Sequence, residues 1–234
     1  MGNASDALRQ SICDANRELS ASGLVMDTFG NVSGLDAEAG IFYIKASGVP
    51  YDVLTPEHMV PVSLESGEAL ETDFRPSSDT PTHLEIYRAF GCGGIVHTHS
   101  THATTLAQAL LPVPCRGTTH ADFFRGEVPV TRDLTDEEIR EAYEVNTGRV
   151  IVEAFREKRL KAAEIQGVLV ARHGPFTWGR TAHEAVRHSI ILEELARMEI
   201  LRRSAGVETE LPSTTLVEKH FLRKHGPGAY YGQG

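Results

Sequence analysis

The segment Gly94-Ile95-Val96-His97-Thr98-His99 constrains this 234-residue chain more than any other. Ile95, Val96 and Thr98 are β-branched and suit an extended backbone. Side chains two residues apart on a strand share a face. The spacing therefore turns His97 and His99 to one side and Thr98 to the other. Two imidazoles held together on rigid backbone are the beginning of a transition-metal site. The alternative is a pair of ordinary half-buried histidines. A third histidine follows another β-rich run, in which Val168-Leu169-Val170 leads through Ala171-Arg172 to His173. If both runs lie in one sheet, His173 completes a three-histidine set. Catalytic zinc sites use three protein ligands and keep one position open.

Composition narrows the classes. With 41% hydrophobic and 24% charged residues, the chain has the make-up of a globular protein able to bury a full core. A net charge of −9 argues against a nucleic-acid surface, and an anionic substrate would need local cations set against that field. Cys13, Cys92 and Cys115 are odd in number and lack metal-ligand spacing, which reads as reduced thiols in a cytoplasmic protein. The N-terminus carries no apolar signal core and no run approaches a membrane span. No repeat or linker divides residues 1–234, which are expected to form one domain.

Along the chain, Leu8, Ile12, Ala15 and Leu19 predict a helix over Asp6–Ser20. Phe29-Gly30-Asn31-Val32-Ser33-Gly34 suits either a hairpin turn or a backbone lying close to something. Ile41–Lys45 reads as a buried strand running into Ala46-Ser47-Gly48, where a lysine, a hydroxyl and open amides could hold a phosphate or simply face solvent. A strand pair is expected over Met59–Leu64 and Glu68–Glu71. Ser77, Ser78 and Asp79 precede a helix over His83–Phe90, with Thr80 as its cap and Pro81 as its first residue. The serines would meet free amides there, and Asp79 either caps the helix or reaches a metal. A helix over Ser100–Leu111 carries His102, read as structural. Gly117–Phe124 reads as a loop whose hydroxyls, His120 and Asp122 are either solvated or acid/base groups. Thr135 with Glu138, and Thr181 with Glu184, are capping boxes opening helices to about Arg159 and Arg203. A last helix over Ser213–Lys224 precedes a tail with Tyr230 and Tyr231.

Assembled, these stretches resemble the class II sugar-phosphate aldolase/epimerase family. The matching motifs are Gly30–Ser33, Lys45–Gly48, Pro76–His83, Gly93–Ser100, Gly117–Asp122, His173–Phe176, Leu222–Gly226 and Ala229–Gln233. The histidine and Ser-Ser-Asp motifs are shared with the aldolases. The Thr118-Thr119-His120-Ala121-Asp122 segment and the Tyr230-Tyr231-Gly232-Gln233 tail are similar to the epimerases. Two departures, Phe29 and Arg172, stand where a Trp and a small or polar residue are expected, and both could alter substrate fit.

The resemblance implies a three-layer α/β/α sandwich on a central, mainly antiparallel sheet. It implies Zn2+ on His97, His99 and His173 with Asp79 as a further ligand, Mn2+ or Co2+ being possible substitutes. Gly30, Asn31, Ser47, Gly48, Ser77 and Ser78 would line the substrate and its phosphate, with Lys45 nearby. Asp122 and Tyr231 would be the acid/base pair, the tail completing the site. Members are homotetramers with sites between subunits, so Thr118, Asp122, Glu144, His220, Arg223 and Tyr231 could act on a neighbour's metal. The implied reaction interconverts epimeric pentulose 5-phosphates by breaking and re-forming the C3–C4 bond, in arabinose or ascorbate breakdown. Its rivals are an aldolase that releases its products and a non-catalytic, adducin-like interaction module.

Overall fold

The computed structural model describes residues 2–70 and 72–230. It places six strands in one sheet, β1 (Asn31–Asp36), β2 (Ile41–Lys45), β3 (Met59–Ser63), β4 (Gly94–His97), β5 (Gly167–Leu169) and β6 (Pro175–Gly179), in the order β3-β2-β1-β4-β6-β5. Every neighbouring pair is antiparallel. The helices are α1 (Gly2–Ala21), α2 (Thr80–Phe90), α3 (Thr101–Gln108), α4 (Thr118–Ala121), α5 (Asp136–Glu157), α6 (Ala182–Ser204) and α7 (Thr214–His225).

The period-two alternation of the strands divides the core between the two faces of the sheet. Val32, Tyr43 and Val96 pack against Ile12, Ala15 and Leu19 of α1 and Ala185 and Val186 of α6. Phe42, Ile44, Ile95, Phe176 and Trp178 face the other way, onto Ile86 and Tyr87 of α2 and Ile151 and Phe155 of α5. This is the α/β fold with a mainly antiparallel sheet that the motifs imply. No helix among the described residues is long and apolar enough to cross a membrane, and all three cysteines are free and buried.

Several local expectations change. The Phe29–Gly34 stretch is the entry to β1, not a hairpin turn: Gly30 has φ +111°, and a Cβ there would sit 3.1 Å from the His97 carbonyl oxygen. Helix α2 begins at Thr80, so Asp79 takes the N-cap position, yet its side chain makes no capping bond. The segment after β3 pairs only through a bridge between Val62 and Ala69, with Glu71 outside the described residues. Pro61 lies in that register and has no N–H to offer, which prevents a full ladder. Thr118–Ala121 is a short helix, not a loop. The Thr135–Glu138 box closes with both bonds, but α5 breaks its helical dihedrals at Ala142 (φ −159°, ψ 69°). Thr181 accepts from the Glu184 amide, while the Glu184 carboxylate turns to the Arg180 backbone and guanidinium.

Asn16, on α1, completes the sheet where β2 ends. Pairing with β2 starts at Ser33, so the backbone groups of Val32 on that side have no strand partner. The Asn16 Oδ1 accepts from the Val32 N–H at 2.9 Å, and its Nδ2 donates to the Val32 carbonyl at 3.1 Å. Asn16→Ala strands both groups in a fully buried place. It is expected to lower the unfolding free energy by about 2–4 kcal/mol in chemical denaturation. A loss under about 0.5 kcal/mol would mean that Asn16 does not hold the strand.

Candidate metal centre

Strand register brings the histidines together. In the β4–β6 ladder His97 pairs with Phe176, so the turn joining β5 to β6 falls beside the end of β4. His173 lies in that turn, not on a strand. Strand β4 ends at His97, so His99 lies just beyond the ladder, not on it. The rings nevertheless converge: the His99 Nε2 is 3.0 Å from the His97 Nε2 and 3.1 Å from the His173 Nε2. A tetrahedral ion with 2.0–2.1 Å bonds sets its ligand nitrogens about 3.3 Å apart, so the group is nearly spaced for one.

Protonation favours the same role. The His97 Nδ1 donates to the Pro175 carbonyl at 3.0 Å, which leaves Nε2 as a bare lone pair pointing at the other two rings. Burial, then the neighbouring imidazoles, push His173 down to about 3, and burial with His97 lowers His99 as well. Both stay neutral and able to ligate near neutral pH. The ring of Phe176 stacks on His97 at 4.2 Å, Phe29 stacks on His99 at 5.8 Å, and the Tyr143 hydroxyl lies 3.3 Å from the His173 Nδ1. These contacts orient the rings from behind. Asp79 faces the same space, but its Oδ2 accepts from Asn31 Nδ2 at 2.6 Å. Burial works to raise its pKa, and His97, His83 and the Asn31 bond together outweigh burial and hold the carboxyl below its usual range.

Beside the imidazoles lies a cavity of about 370 Å³. Gly30, Asn31, Lys45, Ser47, Gly48, Ser77, Ser78 and Asp79 line it with the three histidines, Phe29, Tyr143 and Glu144. Lys45 is 2% exposed, its Nζ lies 4.8 Å over the Tyr51 ring, and burial pushes its amine down to about 8. Gly48 has φ +69° with open space where a Cβ would be, so its backbone is free to meet a ligand. Three histidines that could hold a metal ion thus share one cavity with a buried lysine and three serine hydroxyls. Of the two residues expected to alter substrate fit, Phe29 lines the cavity and Arg172 does not.

Four other expected site residues lie elsewhere. Asp122 accepts from His220 at 3.0 Å and from Arg223 at 2.7 Å, with Lys224 at 3.5 Å. Burial raises its pKa, and the bonds from Arg223 and His220 overcome that and hold it low. The cavity it borders is lined by Gly93, Trp178, Gly179 and Lys224. Gly94 pairs with Gly179 at the far end of the same ladder that brings His97 to Phe176. The two places therefore lie at opposite ends of β4, roughly 10 Å apart along the strand. Thr118 lines a further cavity with Arg116 and Glu199. Tyr231 lies outside the described residues. Glu144 needs no neighbour to reach a site, since it lines the histidine cavity of its own chain. Tyr143, Tyr51 and His83 carried no signal in the sequence; the break at Ala142, which helical periodicity hides, precedes Tyr143 and Glu144 at the cavity.

Three converging imidazoles on a mainly antiparallel α/β fold make a candidate metal centre. The Class II Aldolase and Adducin N-terminal domain matches residues 10–200, and the chain belongs to that family. Solved structures agree in fold. An L-fuculose 1-phosphate aldolase is 23% identical over 91% of this chain and 95% of its own, with a TM-score of 0.75. The L-fuculose-1-phosphate aldolase from Thermus thermophilus is 28% identical over 87% of this chain and 100% of its own, at 0.67. YgbL from Klebsiella pneumoniae, provisionally described as an aldolase/epimerase/decarboxylase, is 25% identical over 92% and 98%, at 0.72.

His97→Ala is expected to reduce bound divalent metal from about one per chain to near zero, read by elemental analysis of the dialysed protein. Stoichiometric metal on the folded variant would remove His97 from the centre.

Proposed function

We propose that the chain is a zinc enzyme interconverting L-ribulose 5-phosphate and D-xylulose 5-phosphate. The observation that supports this reading is the convergence of three imidazole nitrogens in one cavity with Lys45, Ser47, Ser77 and Ser78. Neutral nitrogen ligands with an open position favour zinc, though Mn2+ and Co2+ fit the same donors. The ion would act as a Lewis acid for the ketose carbonyl and the hydroxyl beside it.

The stereocentre at C4 carries no acidic proton, so inversion needs the C3–C4 bond to break. One group takes the C4 hydroxyl proton as that bond opens, giving the enediolate of dihydroxyacetone and glycolaldehyde phosphate. The aldehyde turns over, the bond re-forms on its other face, and a second group returns a proton from the opposite side. Lys45, Ser47, Gly48, Ser77 and Ser78 would keep the phosphate anchored while the fragment rotates. Asp122 and Tyr231 are the proposed proton carriers, each contributing ~10²–10⁴-fold. Since Asp122 sits at the other end of β4, its carboxylate would serve the metal of a neighbouring copy, which makes the active form a homo-oligomer, a tetramer in this reading.

An aldolase that releases its products, of the fuculose- or rhamnulose-phosphate type, is the second reading, favoured by the aldolases among the similar structures. An adducin-like binding module would have no use for three converging lone pairs. The test is conversion of L-ribulose 5-phosphate by zinc-loaded protein with a trap for free aldehyde. Conversion without trapped glycolaldehyde phosphate supports the epimerase, trapped aldehyde supports an aldolase, and fully loaded protein that leaves the sugar unchanged discards the epimerase and sends the test to a ketose 1-phosphate, whose survival would sink the aldolase as well.

Asp122→Asn should cut kcat by about 100-fold or more while metal content stays at the wild-type level. Mixing it with His97→Ala subunits should restore activity if the site is shared, and no recovery would place Asp122 outside a neighbour's site. Lys45 is a cation only below about pH 8. Substrate KM is therefore expected to rise as pH climbs through 8, and Lys45→Met should raise KM at pH 7 and flatten that rise; a KM independent of pH in the wild type would exclude Lys45 as the anchor.

A further inference from the structure

Helix α3 touches the metal centre at both ends. Its first residue, Thr101, follows His99 by two positions. At its other end the carbonyls of Ala107 and Gln108 accept from the Arg172 backbone N–H at 3.1 Å and from its Nη1 at 2.9 Å, immediately before His173. The N-terminus is capped from outside. Ser100 occupies the capping position without making a side-chain cap bond. The amides of His102 and Ala103 donate instead to the two carboxylate oxygens of Glu193, on α6, each at 2.9 Å. His102 Nδ1 lies 2.7 Å from the same carboxylate. An anion thus sits at the amino end of α3 and a guanidinium at its carboxyl end, both matched to the helix dipole.

Arg172 holds its post in a left-handed conformation, φ +62°, that is strained for any residue with a Cβ. Its Nε also reaches Asp133 at 3.3 Å. The turn it leads into is pressed onto the other histidine segment: a Cβ at Gly174 would stand 2.6 Å from the Thr98 carbonyl oxygen. The inward face of α3 is Ala103, Leu106 and Ala107, all buried. Such apolar contact keeps the helix docked but is non-directional and resists sliding along the axis only weakly. The charged bonds at the two ends fix that axial position.

We infer that Glu193 and Arg172 are positioning residues of the metal centre, which set the separation of His99 and His173 by holding α3 at both ends. The inference rests on the reading of the three histidines as a metal site. Metal-free full-length protein is titrated with Co2+, followed by visible absorption and by calorimetry. The wild type should take up about one ion per chain. Glu193→Gln and Arg172→Ala should each raise the Co2+ Kd about 10–100-fold and alter the visible band, which reports ligand geometry. Should Arg172→Ala fail to fold, Arg172→Lys keeps the charge but not the fork, and a several-fold rise is expected. Ser213→Ala, which removes the cap of α7 at the Gly94 end of the sheet, controls for general loss of stability and should leave Kd and band unchanged. Wild-type Kd and band in both Glu193→Gln and Arg172→Lys would overturn the inference, as would an equal change in Ser213→Ala. A wild type that binds no Co2+ would overturn the metal reading itself.

Discussion

Three imidazole lone pairs pointed at one another repel unless a cation lies between them, and the molecule is arranged to hold them so. The His99 Nε2 lies within 3.1 Å of both partners. What holds them is mostly backbone. The antiparallel ladder seats Phe176 across from His97, the Pro175 carbonyl claims the His97 Nδ1, and the β5–β6 turn presents His173 at a fixed height. Behind the rings, the Ser33 hydroxyl lies 2.7 Å from both the His83 Nδ1 and the Tyr87 hydroxyl, which ties β1 to α2. A ligand set this confined loses little entropy when an ion arrives.

The same ladder gives the molecule two chemically distinct ends. At the His97 end lie the imidazoles, Lys45 and the serines; at the Gly94 end lies Asp122, fastened to α7 by Arg223 and His220. A largely buried carboxylate bonded to this many donors is held ionised and cannot wander. The donors that hold it ionised also make it a weak base. Helix α7 therefore acts as a support for Asp122 as well as the stem of the tail, and the Tyr230 amide folds back to the Arg223 carbonyl to close that stem.

How much of this was legible in the sequence follows from which interactions are local. The Ile41–Lys45 strand and the Thr135 and Thr181 caps are written in neighbouring residues and appear where periodicity and capping chemistry put them, whereas of the His-x-His pair only His97 lies on the strand. The lining residues Gly30, Asn31, Ser47, Gly48, Ser77 and Ser78 stand out in the sequence because they cluster in short motifs. Long-range pairings left no trace. Nothing near Asn16 announces that it finishes a strand, and nothing in α5 announces the break at Ala142 that precedes Tyr143 at the cavity. Asp79 reads in sequence as a cap or a ligand, because its actual bond is to Asn31, 48 positions away. Arg172 reads as a change of substrate fit, since sequence cannot tell which side of a tight turn a long side chain takes.

Lys45 shows how such a site trades stability for readiness. Its amine is almost wholly buried, its pKa is lowered by burial alone, and no carboxylate among the described residues pairs with it. A lysine whose folded pKa lies below its unfolded value destabilises the fold while it is charged. That cost is full at pH below about 8, shrinks as pH rises through 8, and has vanished once the unfolded chain would also lose the proton. A paired carboxylate would remove the cost and would also occupy the place of an incoming anion. The empty side of the charge is faced instead by the Tyr51 ring, whose π-cloud offers partial compensation without blocking the cavity, and whose hydroxyl is committed to the Gly30 carbonyl. The Nζ also donates to the Ala46 carbonyl at 3.2 Å, so a neutral acceptor and a ring, not an anion, compensate a charge that borders the cavity.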